Sequence, residues 1–167
     1  TDGTKFYNEN HEVIGKRYKC KDFTAIKRFI ASGIKVIMLS GDNFNQTMAE
    51  KRNIPFYCSR GQDLSLDKSR FVDIFQEEYG IDPDNMCFVG DDYFDLSMFK
   101  RLKYSFSTGD SPEIIKENSF DELYSDGGDG VIVELYDYFI ARGWIQDASE
   151  EAVAALDKEE STSREMS

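Results

Sequence analysis

Three carboxylates crowd into Gly90-Asp91-Asp92-Tyr93-Phe94-Asp95, where the apolar run Met86-Cys87-Phe88-Val89 gives way to a helical pattern. Left alone they repel one another, and their proximity raises a pKa. A hard divalent cation relieves that repulsion and prefers oxygen ligands; Mg²⁺ takes one or two protein carboxylates and keeps several waters. A plainer reading is also open: Asp92 and Asp95 favour a helix N-terminus through its dipole.

Two other places carry usable chemistry. Ser40-Gly41 ends the run Lys35-Val36-Ile37-Met38-Leu39. A hydroxyl followed by glycine at a strand end can hold a phosphate oxygen with help from backbone N–H groups, or simply form a strand-to-helix turn. Lys68 opens a helix after a polar loop. It either reaches the strand ends and offsets phosphate charge or stays in solvent like most lysines.

The elements that must position these groups alternate. Lys5–Tyr7 and 12–18 read as a hairpin. Residues 21–32 read as a helix with Phe23, Ile26, Phe29 and Ile30 inward, ended by Gly33. Residues 35–39 and 86–89 look like parallel strands covered on both faces. A helix at 68–79, with Phe71, Ile74 and Phe75 inward, stops at Gly80. Further strands are expected at 56–58, 104–107 and 120–124, and helices at 45–52, up to about 101, at 112–118 and at 131–142. This alternation argues for a mostly parallel sheet, and such sheets bind ligands at the carboxyl ends of their strands. One domain is expected over 1–146. Residues 147–167 read as an acidic tail, with a short helix at 150–156 and disorder in about the last ten residues.

Composition narrows the function. The chain has 167 residues, 40% of them hydrophobic, and a net charge of −12. That charge argues against nucleic acid and against an anionic membrane surface as partners. No apolar run approaches the length of a membrane span. Cys20, Cys58 and Cys87 are odd in number and form no C-x-x-C pair, which predicts reduced thiols and a cytoplasmic location. Cys58 and Cys87 are expected in the core. His11 is the single histidine, so zinc sites built on several histidines are impossible. Catalysis must rest on carboxylates, lysine, hydroxyls and oxygen-loving metals.

Taken in order, Ser40, Lys68 and Asp91-Asp92 resemble motifs two, three and four of the haloacid dehalogenase superfamily. Thr1-Asp2-Gly3, the hairpin with Tyr7, Gly33 to Gly41, Asp67-Lys68, Gly90 to Leu96 and Gly127-Gly128-Asp129-Gly130 together resemble its octulosonate 8-phosphate phosphatase branch over about residues 1–144. The resemblance implies a Rossmann-like three-layer α/β fold with a small β-hairpin and no large cap. It implies a Mg²⁺-dependent phosphatase of a small sugar phosphate ester, working through an aspartyl-phosphate. Ser40 and Gly41 would bind phosphate. Lys68 would bind phosphate and act in catalysis, and Asp92 would be catalytic. Asp91, Asp92 and Asp95 would form the metal set. A homo-tetramer with the hairpin between subunits is also implied.

The sequence departs from that pattern in three places. In the family a D-x-D-G segment carrying the nucleophile precedes the segment matched by Thr1-Asp2-Gly3. The expectation is therefore a fragment, inactive by itself, of a longer phosphatase, with sheet edges left unpaired beside the missing strand. Asp42 and Val133 stand where the family often has arginine, which puts the octulosonate substrate in doubt. The competing expectation is a catalytically inert oligomerisation domain, as in some sialic-acid cytidylyltransferases.

Overall fold

A computed structural model describes residues 3–60 and 67–165. The chain opens with strands β1 (Lys5–Tyr7) and β2 (Val13–Lys16) and helix α1 (Cys20–Ala31). Strand β3 (Met38–Ser40), helix α2 (Gln46–Glu50), strand β4 (Phe56–Cys58) and helix α3 (Arg70–Tyr79) follow. Next come β5 (Cys87–Gly90), α4 (Leu96–Arg101), β6 (Tyr104–Ser107), α5 (Glu113–Lys116) and β7 (Asp121–Glu122). Helices α6 (Val131–Ala141) and α7 (Glu150–Glu165) close the chain. Strands and helices alternate as expected, in the Rossmann-like α/β order that the resemblance implies. None of the helices among the described residues is long and apolar enough to cross a membrane.

The chain divides into two compact units. The first comprises Thr1–Asp22 and Asp67–Leu135. Its sheet has the order β5-β6-β7 and is parallel throughout, with Cys87 opposite Tyr104 and Phe106 opposite Asp121. The core lies against this sheet: Phe106, Met98, Ile115, Leu123 and Val72 are almost wholly buried. Helix α3 turns Phe71, Val72 and Phe75 inward. Ile74, expected among them, is 39% exposed; the buried stripe runs through Phe71, Phe75 and Val72, on the side of Phe71 away from Ile74. Gly80 ends the helix at φ 66, the left-handed conformation expected of it.

The hairpin of this unit is antiparallel, with Lys5 opposite Lys16 and an irregularity between Phe6 and Tyr7. Its turn is shaped by Asn8, whose Oδ1 accepts from the N–H groups of Asn10 and Glu12 at 3.0 and 2.9 Å, the local bonding that makes Asn a turn residue.

Asp22, near the start of α1, is almost fully buried. Its carboxylate accepts from the N–H groups of Gly130, Ile132 and Val133 at 3.2, 3.0 and 3.3 Å. These are the donors that a helix start leaves without intrahelical partners, so Asp22 caps α6 from a distant part of the chain. Replacing it with Ala should cost about 2 kcal/mol, the upper range for loss of a cap. Urea denaturation checks this, and an unchanged midpoint would refute the role.

The second unit comprises Phe23–Leu66 and Tyr136–Ser167. Its strands β3 and β4 pair in parallel, with Met38 opposite Phe56 and Ser40 opposite Cys58. The expected strand at 35–39 is shorter and lies later. Its residues are half-buried rather than covered on both faces, because β3 has β4 as its single neighbour among the described residues. Phe29 is buried and meets Tyr136 and Phe139 edge-on at 5.0 and 5.4 Å. Phe23 and Ile30 are half-buried, and the Arg52 guanidinium covers the Phe23 ring at 4.1 Å.

At the end of the chain the short helix expected at 150–156 extends further. Residues Glu150–Glu165 form one helix. Glu160 is 5% exposed and pairs with Lys27 at 2.6 Å, while Arg52 Nε lies 3.7 Å from it. Lys27 also pairs with Asp157. These counter-charges explain why an acidic segment is ordered here. The three thiols are free, as expected, but Cys87 is exposed and Cys58 half-buried. Cys87 falls on β5, which has β6 as its single neighbouring strand among the described residues.

Candidate active site

The acidic cluster sits where β5 ends. Gly90 is the last strand residue, and a short 3₁₀ turn at Tyr93–Asp95 leads into α4. Asp92 Oδ1 accepts from Tyr93 N–H at 2.6 Å. Asp95 folds back, and its Oδ2 accepts from the N–H groups of Asp91 and Asp92, both at 3.2 Å. Asp92 and Asp95 thus form a reciprocal capping box. The helix-start reading of these two residues therefore holds, whatever else they do.

Asp95 is 4% exposed. Lys68 Nζ donates to its Oδ1 at 2.5 Å, and both side chains are largely buried. Lys68 is therefore no solvated surface lysine. It sits just before α3, where Asp67 Oδ1 accepts from Ser69 N–H at 2.9 Å and fixes the turn. With both oxygens of Asp95 engaged, this aspartate acts on the backbone of Asp91-Asp92 and on the ammonium of Lys68.

Asp91 and Asp92 are both exposed as residues, and Asp91 Oδ2 lies 2.9 Å from where a Cβ on Gly127 would stand. Protein atoms crowd the Asp91 carboxyl although the residue as a whole is exposed. That desolvation, followed by the charges of Asp95, Asp110 and Asp92, raises its pKa. Removing charge repulsion is what a bound cation does best. Among the described residues, no three acidic, histidine or cysteine side chains gather into a cage for a metal ion. Exposed oxygen donors of this kind suit a hard divalent cation, which takes one or two protein carboxylates and keeps several waters.

Two glycines make the cluster possible. A Cβ on Gly90 would lie 2.7 Å from Asp95 Oδ2, and one on Gly127 would lie 2.9 Å from Asp91 Oδ2. Asp110, which sequence reasoning missed, accepts from Gly127 N–H at 2.8 Å and from Thr108 Oγ1 at 2.6 Å. Burial works against its charge, but the bonds from Thr108 and Gly127 and the nearby Lys116 leave its pKa lowered. Glu134, also missed, accepts from the N–H groups of Tyr124 and Ser125, both at 2.8 Å, and so holds the end of the β7 segment. The tell-tale for Asp110 was Thr108-x-Asp110, a common turn pattern that says nothing about which distant amide it reaches.

Ser40 and Gly41 belong to the second unit. Ser40 closes β3, and its Oγ accepts from Asp42 N–H at 3.4 Å. The Arg60 side chain lies over Gly41, 3.4 Å from where a Cβ would stand. Close approach of a guanidinium is thus allowed by the missing side chain. Asp42 Oδ1 is turned to Phe44 N–H at 3.0 Å. The loop expected before Lys68 falls at 61–66, outside the described residues, as do Thr1 and Asp2.

Similarity to known proteins supports this reading of the fold. Residues 63–135 match the haloacid dehalogenase-like hydrolase family. The chain is 28% identical over 148 residues to the 3-deoxy-D-manno-octulosonate 8-phosphate phosphatase KdsC of Haemophilus influenzae, covering 84% of this chain and 76% of that protein. It superimposes on the cobalt-bound octulosonate 8-phosphate phosphatase YrbI of the same organism with a TM-score of 0.75 at 27% identity, over 86% of this chain and 82% of that one. The Moraxella catarrhalis phosphatase, solved with magnesium, phosphate and KDO, shares the fold with a TM-score of 0.70 at 21% identity, over 84% and 85% of the two chains. The chain therefore has a Rossmann-like α/β fold of the haloacid dehalogenase type, and in sequence and structure it resembles the octulosonate 8-phosphate phosphatases.

Proposed function

We propose that the intact protein is a Mg²⁺-dependent phosphomonoesterase of a small sugar phosphate. The observation that carries this reading is the Lys68–Asp95 pair, at 2.5 Å, locked to the backbone of Asp91-Asp92 at the end of a parallel strand. A buried ammonium tied through Asp95 to the turn that carries an exposed carboxylate can offset the charge of a phosphate and hold a cation beside it. Asp91 is the metal-facing carboxylate, and Asp92 is its neighbour toward the reacting group. Of the proposed metal set, Asp95 acts by holding the other two in place. Lys68 offsets phosphoryl charge. Ser40 and Gly41 keep the phosphate-binding part that the resemblance implies. The bound cation supplies electrophilic stabilisation of the phosphoryl oxygens.

The substrate class is a small phosphate ester. Asp42 and Val133, where the branch often carries arginine, favour a leaving group less acidic than octulosonate. The hairpin leaves Phe6 50% and Ile14 63% exposed. That apolar surface supports a homo-tetramer, and it also favours the second reading, an inert assembly domain of the same fold. The two readings part in one experiment. Phosphate release from a panel of sugar and polyol phosphates is measured in Mg²⁺ and after EDTA treatment. The phosphatase reading expects release to fall at least about 100-fold on chelation, since the cation contributes several kcal/mol, and to return with Mg²⁺. Release indifferent to chelation refutes the metal-dependent mechanism, and no release from any ester favours the assembly domain.

A further inference from the structure

Gly127 lies between two carboxylates of the first unit. From the position where its Cβ would be, Asp91 Oδ2 is 2.9 Å away and the two oxygens of Asp110 are 3.6 and 3.7 Å away. Asp110 is not part of the 3₁₀ turn that carries Asp91, Asp92 and Asp95. It comes from the loop after β6, and that loop is tightly tied. Thr108 N–H donates to Ser111 Oγ at 3.0 Å, and the two hydroxyls are 3.0 Å apart. Lys116 Nζ donates to Gly109 O at 2.7 Å and to Glu122 Oε1 at 2.6 Å. A Cβ on Gly109 would lie 2.6 Å from Tyr124 O, so the β6 loop and the chain after β7 are in backbone contact. Asp110 therefore stands on a rigid base, and its Oδ1 grips Gly127 N–H at 2.8 Å.

We infer that Asp110 is a positioning residue for Asp91: by holding Gly127 it presses a backbone segment without a side chain against the Asp91 carboxylate and fixes the direction in which that carboxylate faces. The inference rests on the reading of Asp91 as the metal-facing group. It assigns Asp110 no contact with the metal or the substrate. What matters is its acceptor oxygen, not its charge. Packing and outer hydrogen bonds of this kind orient metal ligands, and their loss typically weakens binding by one to two orders of magnitude.

That distinction sets the test. Asp110→Asn keeps an acceptor oxygen for Gly127 and Thr108 and drops the charge; Asp110→Ala drops both. Mn²⁺ binding to the 167-residue chain is followed by calorimetry, and exchange of the Gly127 amide by NMR. Asp110→Ala should weaken Mn²⁺ binding about tenfold and speed Gly127 exchange, while Asp110→Asn stays within about twofold of the parent in both. Equal weakening in the two variants would show that charge matters and overturn the inference, as would an Ala variant that binds like the parent. Asp91→Asn is run beside them. If it binds Mn²⁺ like the parent, or if the parent binds none, the metal reading of Asp91 fails on its own. Gly127 exchange then decides whether Asp110 holds the loop, and an unchanged rate in Asp110→Ala overturns it.

Discussion

Lys68→Ala should lower phosphate release by the intact protein about 1000-fold, the upper range for loss of one transition-state charge partner, and should also destabilise the fold. The stability effect follows from the burial of the pair. Lys68 and Asp95 side chains are 13% and 6% exposed. Removing one partner of a buried ion pair leaves an uncompensated charge, at about 3–5 kcal/mol. Two backbone N–H groups continue to serve Asp95, so the lower figure, about 3 kcal/mol, is expected here. Lys68→Arg restores charge without the compact ammonium. It should recover most of the stability and little of the activity, because a phosphoryl group needs the charge at one place. Urea denaturation and phosphate-release kinetics separate the two effects. A Lys68→Ala protein that is as stable as its parent and still hydrolyses esters would remove the basis of the proposed site.

The second large effect belongs to a residue with no side chain. Gly90→Ala places a methyl group 2.7 Å from Asp95 Oδ2 and 2.7 Å from Phe88 Cε1. Neither neighbour yields cheaply. Asp95 is tied to Lys68 and to two amides, and the Phe88 ring packs edge-on against Phe99 at 5.6 Å. Overpacking of this sort costs about 1–3 kcal/mol, and pulling Asp95 from its donors adds the penalty of buried groups left unpaired. A loss of about 3 kcal/mol is expected, together with weakened binding of a divalent cation. Gly33→Ala provides the contrast. Gly33 has φ +85 and no atom within 4 Å of a Cβ, so its substitution costs about 1–2 kcal/mol of backbone strain and leaves the cluster intact. If both variants lose the same stability and bind cations alike, the close approach of Asp95 to Gly90 has no consequence, and the account of this motif is wrong.

The pairing of β5 bears on both experiments. β5 has β6 as its single neighbouring strand among the described residues, so the turn that carries Asp91 draws its order from within the first unit: from Asp95, from Lys68 and from the Gly127 segment. That is why single substitutions at these positions are expected to act so strongly. Stability and cation binding can be read on the chain itself.

Local signals in the amino-acid sequence determined the alternation of strands and helices, the stop at Gly80 and the strand-to-helix turn at Gly90-Asp91-Asp92. Each depends on residues within one or two turns of one another, where backbone geometry and capping dominate. The resemblance carried by Ser40, Lys68 and the aspartates likewise needed only order and spacing. Tertiary structure decided which aspartate turns in to meet Lys68, because that choice rests on contacts between residues 27 positions apart. It also decided that Asp110 and Asp22 serve amides 17 and 108 or more positions away, and that the helix in the acidic segment after Asp147 extends to Glu165. Composition pointed to a solvated tail there. The outcome turned on where Lys27 and Arg52 are placed to meet Glu160, since burying a carboxylate is costly unless counter-charges or hydrogen-bond donors meet it.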